Sequence, residues 1–397
     1  MALVQRPCTR LGFLFPRLNL RAFSKTESLK EDDIKKSVFI SQSNDIYTNL
    51  ALEEWLFKNF NFKQHHLLLL CQNNPSVVIG KHQNPWSETN FSDANNLERK
   101  GVKLARRSSG GGASYHDKGS LSMSFFSPRE RHNSRYNMEI VARSVFREFG
   151  CEISVNPEEE LVLRHNKPIS SKAAKLGRDN SYYNLSLMIR TNKVNRNMAL
   201  QKQDFALNTK ARVLPTTSKV MNLCEETPEI SVAAAMKAIG WEFLRTKALT
   251  IKDGGMELAF KQKGFHLINP TDKWFPGLNE IRNTYASWEW CFGQTPQFKI
   301  VRSFTVPVDL LHGNSGSSAT LNITISVENG LISDITVFVP YGFKSFGFTG
   351  EAKVIHNLKG KRFSLQAFEE LESSLDCLLD EKDKFVTECV KQVMSCA

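Results

Sequence analysis

The sequence predicts an α+β protein in which helices pack on a mixed β-sheet, followed by a smaller α/β unit at the C-terminus. Two observations predict this class. Short apolar runs bounded by turn residues, typical of buried strands, stand among separate segments whose apolar residues recur at helical spacing. The texture changes after residue 298, where strand-like runs precede two helical stretches. Because 397 residues suffice for two cores, we place one domain at 36–298 and a second at 299–397.

The first domain is predicted to open with a helix. Asn44-Asp45 can cap a helix that runs to about Phe60, because "IYTNLALEEWLFKNF" places apolar residues at helical spacing. A later helix covers Met138–Phe149 and ends at Gly150, a residue type favoured just after a helix. The other predicted elements are the strands "HHLLLLC", "SVVIG", "GVKLARRS", "ASYHDKGSLSMSFF", "CEISV", "ELVLRHNKPISS" and "NLSLMIR", then the helix "SVAAAMKAIGWEFLR".

The second domain is predicted to place strands before helices. "RSFTVPVDLL" and "SATLNITISVENGLISDITVFV" have strand character, and Asn329-Gly330 supplies the turn of a hairpin within the second run. Two helical stretches follow, at about 363–378 and 381–394.

The first 25 residues have the composition of an organelle transit peptide. Four arginines lie between apolar residues, and no acidic residue precedes Glu27. The apolar stretches are short and interrupted by proline, whereas a secretory signal has a longer apolar core. We predict a transit peptide over 1–25, with a basic tail that has no targeting role as the alternative.

The composition argues against several classes of protein. The net charge is +11, but no Lys/Arg run exceeds two or three residues and no nucleic-acid module appears. The positive charge therefore favours an acidic protein partner or an anionic ligand over nucleic acid. No stretch approaches about 18 uninterrupted apolar residues, which argues against a membrane span. Eight cysteines are scattered without a Cys-x-x-Cys pair, so we predict neither a metal site nor a disulfide framework.

The stretch "ARRSSGGGASYHDKG", which begins at Ala105, predicts a ligand-binding turn. Gly110–Gly112 can adopt φ > 0 and let ligand atoms approach the backbone, whose successive N–H groups form an anion-binding concavity. Neither common nucleotide pattern fits, because no lysine follows the glycines and Gly-x-Gly-x-x-Gly is absent. A purely structural glycine turn is the alternative.

Side chains beside the glycines suggest a chemical role. On a strand that ends here, Arg106 and Arg107 point to opposite faces, so only one of them can serve the pocket. His116 and Asp117 form a candidate base with its orienting carboxylate.

Three segments resemble the lipoate-protein ligases and the mitochondrial lipoyltransferases. "VKLARRSSGGGASYHDKGSLSMSFF" is similar to the signature of this family, and "NPSVVIGKHQNPWSETN" resembles its second hallmark. "HLINPTDKWFPGLNEI", followed by "WEWCFGQTPQF", resembles a junction characteristic of the animal lipoyltransferases. The similarity runs from about Ile40 to Phe298, and the last hundred residues match only in placement, as an accessory domain. The resemblance implies a biotin/lipoate ligase-like catalytic domain at 36–298.

The resemblance implies a lipoyltransferase. Its acceptors are acidic lipoyl domains of 2-oxoacid dehydrogenase complexes and the glycine cleavage H protein in the mitochondrial matrix, which makes 1–25 a mitochondrial transit peptide. The donor is lipoyl-AMP or a protein-bound lipoyl group. ATP-dependent activation of lipoate stays open, with Mg²⁺ arriving on ATP. We expect a monomer that has neither nucleic acid nor a membrane as its partner.

The resemblance also implies the positions of the site residues. Arg107 matches the nucleotide-contacting arginine of the family, and the glycine run matches the segment along the acyl-adenylate. Lys81 stands where many relatives have arginine, so the charge is kept but the bidentate fork is lost. The complete set of implied substrate-binding residues is Arg107, Gly110, Gly111, Gly112, Ala113, Ser114, Tyr115, His116, Gly80, Lys81 and Ser186.

One departure from the family pattern affects the expected catalysis. Relatives carry Lys-Ile-Ser-Gly-(Thr/Ser)-Ala, and their lysine contacts both the acyl carbonyl and the phosphate; "NKPISSKAAKLG" places Pro168 there. Proline offers neither a charge nor an N–H. Lys167 and Lys172 are the candidate catalytic replacements, and Lys175 matches a basic position in the animal relatives.

Two alternatives to the transferase remain from the sequence. A cysteine-dependent octanoyl or lipoyl amidotransferase needs a cysteine with a lowered pKa, and no cysteine lies in a recognisable motif. A catalytically impaired module that binds lipoyl-adenylate or lipoyl domains is favoured by Pro168. The intact Arg107 and the unaltered glycine run argue against this module.

Overall fold

The computed structural model describes residues 31–89, 101–200, 207–209, 211, 219–311, 319–343, 350–353, 356–375 and 380–395. The predicted transit peptide over 1–25 lies outside these residues. Within them, no helix is both long enough and apolar enough to cross a membrane.

The described residues form ten α-helices and seventeen β-strands. The helices are α1 (Ile46–Asn59), α2 (Pro85–Glu88), α3 (Ser134–Phe149), α4 (Lys193–Leu200), α5 (Val232–Arg245), α6 (Gly255–Phe260), α7 (Leu278–Ala286), α8 (Trp288–Cys291), α9 (Leu365–Leu375) and α10 (Glu381–Met394). The strands before residue 298 are β1 (Lys35–Ser41), β2 (His65–Cys71), β3 (Ser76–Ile79), β4 (Lys103–Arg106), β5 (Ser114–His116), β6 (Ser120–Pro128), β7 (Ser154–Val155), β8 (Leu161–Leu163), β9 (Lys167–Pro168), β10 (Ser170–Leu176), β11 (Asn180–Met188), β12 (Leu207–Thr209) and β13 (Gly264–Ile268). The later strands are β14 (Phe298–Thr305), β15 (Thr320–Glu328), β16 (Leu331–Val339) and β17 (Gly350–Lys353).

A six-stranded mixed sheet forms the centre of the larger unit, in the order β10-β11-β6-β2-β1-β13. β1 runs parallel to β2 and β13, and the other pairs are antiparallel. Helices α3 and α5 pack on one face around Phe125 and Phe243. Helices α1 and α7 pack on the other face around Leu52 and Leu278. The α+β class with helices packed on a mixed sheet is thereby confirmed.

Side-chain caps set the limits of the two helices that were predicted first. The Asp45 carboxylate accepts from the backbone N–H of Thr48 at 3.1 Å, which confirms the predicted start of α1. α3 begins earlier than predicted, because Asn133 accepts from the backbone N–H of Tyr136 and caps it. It ends at Gly150, whose φ of 65° completes the predicted helix end.

β7 and β13 are among the strands that differ from the sequence prediction. "CEISV" forms only the short β7, because Cys151 and Ile153 pack into the core on the α3 face instead of continuing a ladder. β13 was not predicted, because Leu267 is 63% exposed at the sheet edge and the strand lacks a buried apolar pattern. Its parallel pairing with β1 closes this side of the sheet.

A three-stranded sheet, β4-β3-β5, carries the glycine run between β4 and β5. One face packs on the start of α1 through Ile46, Val78 and Ala105. The opposite face buries Val77 and Tyr115. The glycine run is thus held between two strands whose positions are fixed by cores on both sides.

The C-terminal unit is a five-stranded sheet, β12-β14-β15-β16-β17, with α9 and α10 contributing to its core. The predicted hairpin is confirmed, and Asn329 and Gly330 both have positive φ at its turn. Two earlier parts of the chain join this unit. β12 pairs antiparallel with β14, and the indole of Trp86 contacts Phe298 and Phe363 at centroid distances of 5.2 and 5.5 Å.

Replacing Trp86 with alanine should lower the free energy of unfolding by about 3–5 kcal/mol, because truncating a buried aromatic side chain leaves a cavity. Trp86 is 4% exposed, and chemical denaturation followed by circular dichroism measures the loss. Trp274→Ala is the matched control, since Trp274 is 40% exposed. Equal losses in the two variants would contradict the role of Trp86 in joining the units.

Candidate active site

Arg107 supports the glycine run from inside. Its Nε donates to the carbonyl of Gly110 at 3.2 Å, its Nη2 to that of Gly112 at 2.6 Å, and its Nη1 to that of Val78 at 3.2 Å. Burial lowers the pKa of Arg107 to about 10, so the guanidinium is still charged at neutral pH. The glycine run therefore has a buried cation directly behind it.

The glycine run packs against the β10 backbone and the loop after β3. The N–H of Gly110 donates to the carbonyl of Ala174 at 3.1 Å. Gly111 has φ of 109°, and a Cβ there would lie 2.6 Å from the carbonyl oxygen of Lys172. A Cβ on Gly80 would lie 2.2 Å from the carbonyl oxygen of Gly111. Backbone atoms thus leave no room for a side chain at Gly80 or Gly111.

Arg106 points to the opposite side of β4, as predicted for neighbouring residues on a strand. It is fully buried and donates to acceptors in two segments, the loop after β3 and the chain around α8. These acceptors are the carbonyls of Gly80, Lys81, Gln83, Trp290 and Cys291 and the hydroxyl of Thr295. Arg106 therefore connects two segments of the protein, and only Arg107 serves the cavity.

A cavity of ≈ 30 Å³ lies beside Arg107, between the central sheet and α1. Its apolar lining comes from Ile46, Leu50, Leu69 and Val78. Its polar lining comes from α1, β2, β5, β6 and β11, and the serines of β6 face it from the sheet. Ligand pockets usually have about 300–1,000 Å³, so an acyl tail can enter only if side chains move.

A chain of hydrogen bonds runs along the cavity to His116. Asn49 Nδ2 donates to Asn73 Oδ1 at 2.7 Å, which leaves the Asn73 amide to donate to His116 Nδ1 at 3.2 Å. His116 Nε2 therefore carries the ring proton and donates to Ser114 Oγ at 3.0 Å. Burial, and then the charge of Arg107, lower the pKa of His116 to about 3, so its ring is neutral at neutral pH.

Asp117 does not orient His116. Its Oδ1 accepts from the backbone N–H of Gly119 at 2.9 Å, and its Oδ2 accepts from that of Asn192 at 2.8 Å. Asp117 thus fixes the turn after β5. The predicted pair of a base and its orienting carboxylate is therefore wrong, because Asn73 and Ser114 hold the ring instead.

Glu53 of α1 places a carboxyl group in the cavity. It accepts from Ser124 Oγ, and from Asn184 Nδ2 at 3.2 Å. Burial raises the pKa of Glu53. Burial, and then Glu53, also raise the pKa of the Cys71 thiol, which lines the same cavity. A cysteine nucleophile needs a lowered pKa, and this environment acts in the opposite direction.

Lys175 is brought to the glycine motif by Glu54. The two side chains form an ion pair, and Lys175 Nζ also donates to Ser108 Oγ at 3.1 Å. Ser108 Oγ in turn donates to Glu54 Oε2 at 2.7 Å. The Lys175 ammonium lies 4.4 Å from the ring centroid of Phe57. This cation therefore contacts the segment that directly precedes the glycines.

Neither Lys167 nor Lys172 lies in the cavity. The register pairs Lys172 with Leu185, whereas the cavity residue Asn184 pairs with the next residue of β10. The Lys172 side chain therefore projects from the face of the sheet opposite the cavity. There, Lys172 Nζ donates to two carbonyls in the loop between β7 and β8. Lys167 is exposed in β9, and Pro168 is partly buried beside it.

The remaining predicted substrate-binding residues occupy different positions. Ser186 is buried and pairs with Ser122 on the cavity face of β6. Tyr115 lies on the far side of the small sheet, in its apolar cluster. The Lys81 side chain is exposed in the loop after β3, and Ala113 is partly buried in the glycine run.

α1 contributes two polar side chains to the cavity that were not predicted from the sequence. Asn49 and Glu53 are four residues apart, so they share one face of the helix and line the cavity together. The sequence feature that indicates this role is "NLALEEW", in which polar side chains interrupt a helix that is otherwise apolar and buried. Among the described residues, no three His, Cys, Asp or Glu side chains form a group that could hold a metal ion.

Replacing Gly80 with alanine should destabilise the protein by about 1–3 kcal/mol, because the new methyl group collides with the carbonyl of Gly111 and forces a backbone shift. Gly110→Ala is the matched control, since the nearest atom to its Cβ is 3.9 Å away. Thermal unfolding of both variants measures the difference. A Gly80→Ala protein as stable as Gly110→Ala would show that the two loops do not pack as described.

Comparisons with known proteins agree with this architecture. The family model of the lipoyl protein ligase A/B catalytic domain matches residues 45–244. The chain is 32% identical over 304 residues to the mitochondrial lipoyl amidotransferase of Homo sapiens, covering 76% of this chain and 75% of that protein. It is 29% identical over 309 residues to lipoate-protein ligase A of Bdellovibrio bacteriovorus, covering 77% and 83% of the two chains.

Solved structures show the same fold. The crystal structure of P. falciparum LipL1 in complex with lipoate has a TM-score of 0.54 and 20% identity, covering 91% of this chain and 99% of that chain. Lipoate-protein ligase A bound with ATP has a TM-score of 0.50 and 20% identity, covering 65% and 98%. With a family match over half of its length, the chain belongs to the lipoyl protein ligase A/B family of lipoyl-transferring enzymes.

Proposed function

We propose that the protein is a lipoyltransferase that moves an activated lipoyl group onto a specific lysine of lipoyl domains. The observation that carries the proposal is the buried Arg107 guanidinium, which supports the glycine run on one side and borders the cavity on the other. A lipoyl-adenylate has an anionic phosphate beside a reactive carbonyl and an apolar tail. The site offers a cation, a bare backbone and an apolar lining close together.

The glycine run presents N–H groups on the side away from Arg107. In a trans peptide the N–H of one residue points opposite to the preceding carbonyl. Because the carbonyls of Gly110 and Gly112 point at Arg107, the N–H groups of Gly111 and Ala113 point away from it. These two outward N–H groups, on alternate peptides, suit the phosphate or the oxyanion of the reacting carbonyl.

Transfer proceeds by attack of a neutral acceptor amine on the activated carbonyl. The new C–N bond forms while the C–O bond to the phosphate breaks, AMP leaves with the electron pair, and the amine releases a proton to solvent. The apolar tail lies in the cavity beside Leu50 and Leu69, which must move apart to admit it. The protein contributes position and charge stabilisation, which usually provide much of the catalytic effect.

The cation that replaces the family lysine is proposed to be Lys175, acting with Arg107. Lys175 contacts Ser108 at the start of the glycine motif, whereas Lys172 leaves the other face of the sheet and Lys167 is exposed. Glu54 holds the Lys175 ammonium in place in the absence of substrate. An arriving phosphate can compete with Glu54 for this charge.

The proposed donor is lipoyl-AMP or a protein-bound lipoyl group, and the proposed acceptors are acidic lipoyl domains of 2-oxoacid dehydrogenase complexes and the glycine cleavage H protein. The net charge of +11 supports acidic partners. The arginine-rich, acid-free N-terminus and the mitochondrial relatives support a matrix location. The protein is proposed to act as a monomer, without nucleic acid or a membrane as partner.

The cysteine-dependent alternative has less support. Burial raises the pKa of Cys291 and Cys389 to about 11, and it raises that of Cys71 further. A thioester mechanism needs the reverse. Cys8, Cys377 and Cys396 lie outside the part of the chain whose side chains are described.

Arg107→Ala should lower lipoyl transfer at least about 100-fold, because it removes the cation that lies directly behind the glycine run and holds its N–H groups outward. The measurement is the intact mass of an apo lipoyl domain after incubation with synthetic lipoyl-AMP. Arg107→Lys keeps the positive charge but loses the planar guanidinium, so it shows whether charge alone supports transfer. Arg135→Gln is the control, because Arg135 is exposed. Binding of lipoyl-AMP by the wild type without any transfer to several acceptors would make the impaired binding module the better description.

The same assay with other donors decides how the lipoyl group is activated. Lipoate with ATP and Mg²⁺ tests whether the protein makes its own adenylate, and lipoylated H protein tests transfer from a protein-bound lipoyl group. A mass gain with only one of these donors identifies the natural route.

Lys175→Met should lower transfer by about tenfold or more, because an ammonium that opposes the developing negative charge is lost. Lys172→Met and Lys167→Met are the matched comparisons, and both should stay within about threefold of the wild type. Single-turnover rates with saturating lipoyl-AMP measure the chemical step. A large loss in either comparison variant, with Lys175→Met unaffected, would assign the role to that lysine instead.

A further inference from the structure

A second, larger cavity lies on the opposite face of the central sheet. Its volume is ≈ 280 Å³, close to the lower limit of ordinary ligand pockets at about 300 Å³. It lies beneath α3 and the end of α5, and the residues Ala248 and Leu249 that follow α5 form one side. The lipoyl-transfer site described above does not include any of its residues.

The same two strands separate the two cavities. In β2, Leu69 and Cys71 face the first cavity, whereas His66 lines the second. In β6, Ser124 faces the first cavity and its neighbour Phe125 lines the second. Successive side chains of a strand point to opposite faces of the sheet. A ligand in the second cavity would therefore be separated from the lipoyl site only by the thickness of the sheet.

One buried polar atom beside the second cavity lacks a partner. His66 is 5% exposed, and its Nε2 has no hydrogen-bond partner among the described residues. An unsatisfied buried ring nitrogen costs about 1–3 kcal/mol unless water or a ligand satisfies it. Lys36, which is next to His66 in the register, cannot do so, because it already donates to Tyr136 Oη and to the carbonyls of Phe243 and Thr246.

The rest of the lining includes an aromatic wall, the cation of Arg131 and the carboxylate of Glu130, whose side chain is exposed. Phe125 and Phe243 meet edge to face at a centroid distance of 6.0 Å and form an aromatic wall. Arg131 lines the cavity and donates to the carbonyl of Lys63 at 2.8 Å. No carboxylate of the described residues lies within salt-bridge distance of Arg131. Its planar fork matches a carboxylate in particular.

The wall that follows α5 is anchored, so the cavity does not depend on a loose loop. The Glu31 carboxylate accepts from the backbone N–H groups of Leu249 and Thr250, at 2.7 and 2.9 Å. Tyr136 Oη donates to the carbonyl of Lys247 on the other side.

From these contacts we infer that the second cavity is a binding site for a small planar aromatic or heteroaromatic carboxylate. The ring lies against Phe125 and Phe243, the carboxylate pairs with Arg131, and a polar ring atom bonds His66 Nε2 once the imidazole turns toward the cavity. This site is separate from the lipoyl-transfer site and does not depend on the function proposed for that site.

The test uses nicotinate as the probe, with nicotinamide and acetate as its matched comparisons. Titration of the full chain, followed through the ring signals of labelled histidines, should give saturable shifts at His66 and His132, which both line the cavity. Nicotinamide keeps the ring without the charge, and acetate keeps the charge without the ring. Each should bind at least about tenfold more weakly than nicotinate. Equal binding of all three, or no saturable shift with nicotinate, would overturn the inference and leave a cavity filled only by water.

Three variants locate the site. Ala248→Phe fills the cavity and should abolish the shifts, with an unchanged unfolding midpoint as the check that the protein is folded. Arg131→Gln should weaken nicotinate about tenfold and remove its advantage over nicotinamide. Arg135→Gln is the control, because Arg135 is exposed and pairs with Glu139 outside the cavity. Wild-type nicotinate binding in both Ala248→Phe and Arg131→Gln would overturn the assignment.

Discussion

The site depends on one interaction, the burial of the Arg107 guanidinium among backbone carbonyls. A buried cation is costly unless it is hydrogen-bonded, and each bond to a charged group contributes about 1.5–3 kcal/mol. Here carbonyls of the glycine run and of Val78 supply these bonds. The run can pack this closely against β10 and the loop after β3 only because Gly111 and Gly80 lack Cβ atoms. The glycines, the cation and the outward N–H groups are therefore consequences of one arrangement.

The central sheet gives this arrangement its two environments. One face meets α1 and carries serines and Asn184 against Glu53, while the other face is packed with apolar side chains beneath α3 and α5. Both environments come from the same strands, because successive side chains along a strand point to opposite faces of the sheet. The shared wall formed by β2 and β6 therefore separates a hydrogen-bonded cavity from an aromatic one.

Much of this architecture could be predicted from local sequence, because caps, hairpin turns and apolar periodicity act over a few residues. Asp45, Gly150 and Asn329-Gly330 all perform the predicted local roles. The opposite directions of Arg106 and Arg107 also follow from strand alternation alone. The roles of Lys175, Glu53 and Asp117 could not be predicted, because each depends on a register or a packing contact between segments far apart in the chain. β13 was missed for the same reason, since only its pairing with β1 makes it a strand.

The pairing of β12 with β14, and the insertion of Trp86 between Phe298 and Phe363, have a consequence for biosynthesis. The larger unit cannot bury Trp86 or complete the β12 edge until the last quarter of the chain has left the ribosome. Long-range pairings of this kind form late, and unpaired strand edges promote aggregation until they do. A chain shortened after residue 298 would retain every described residue that lines the first cavity and still expose a tryptophan and a strand edge. The C-terminal unit thus covers Trp86 and the β12 edge of a larger unit whose cavity, among the described residues, it does not line.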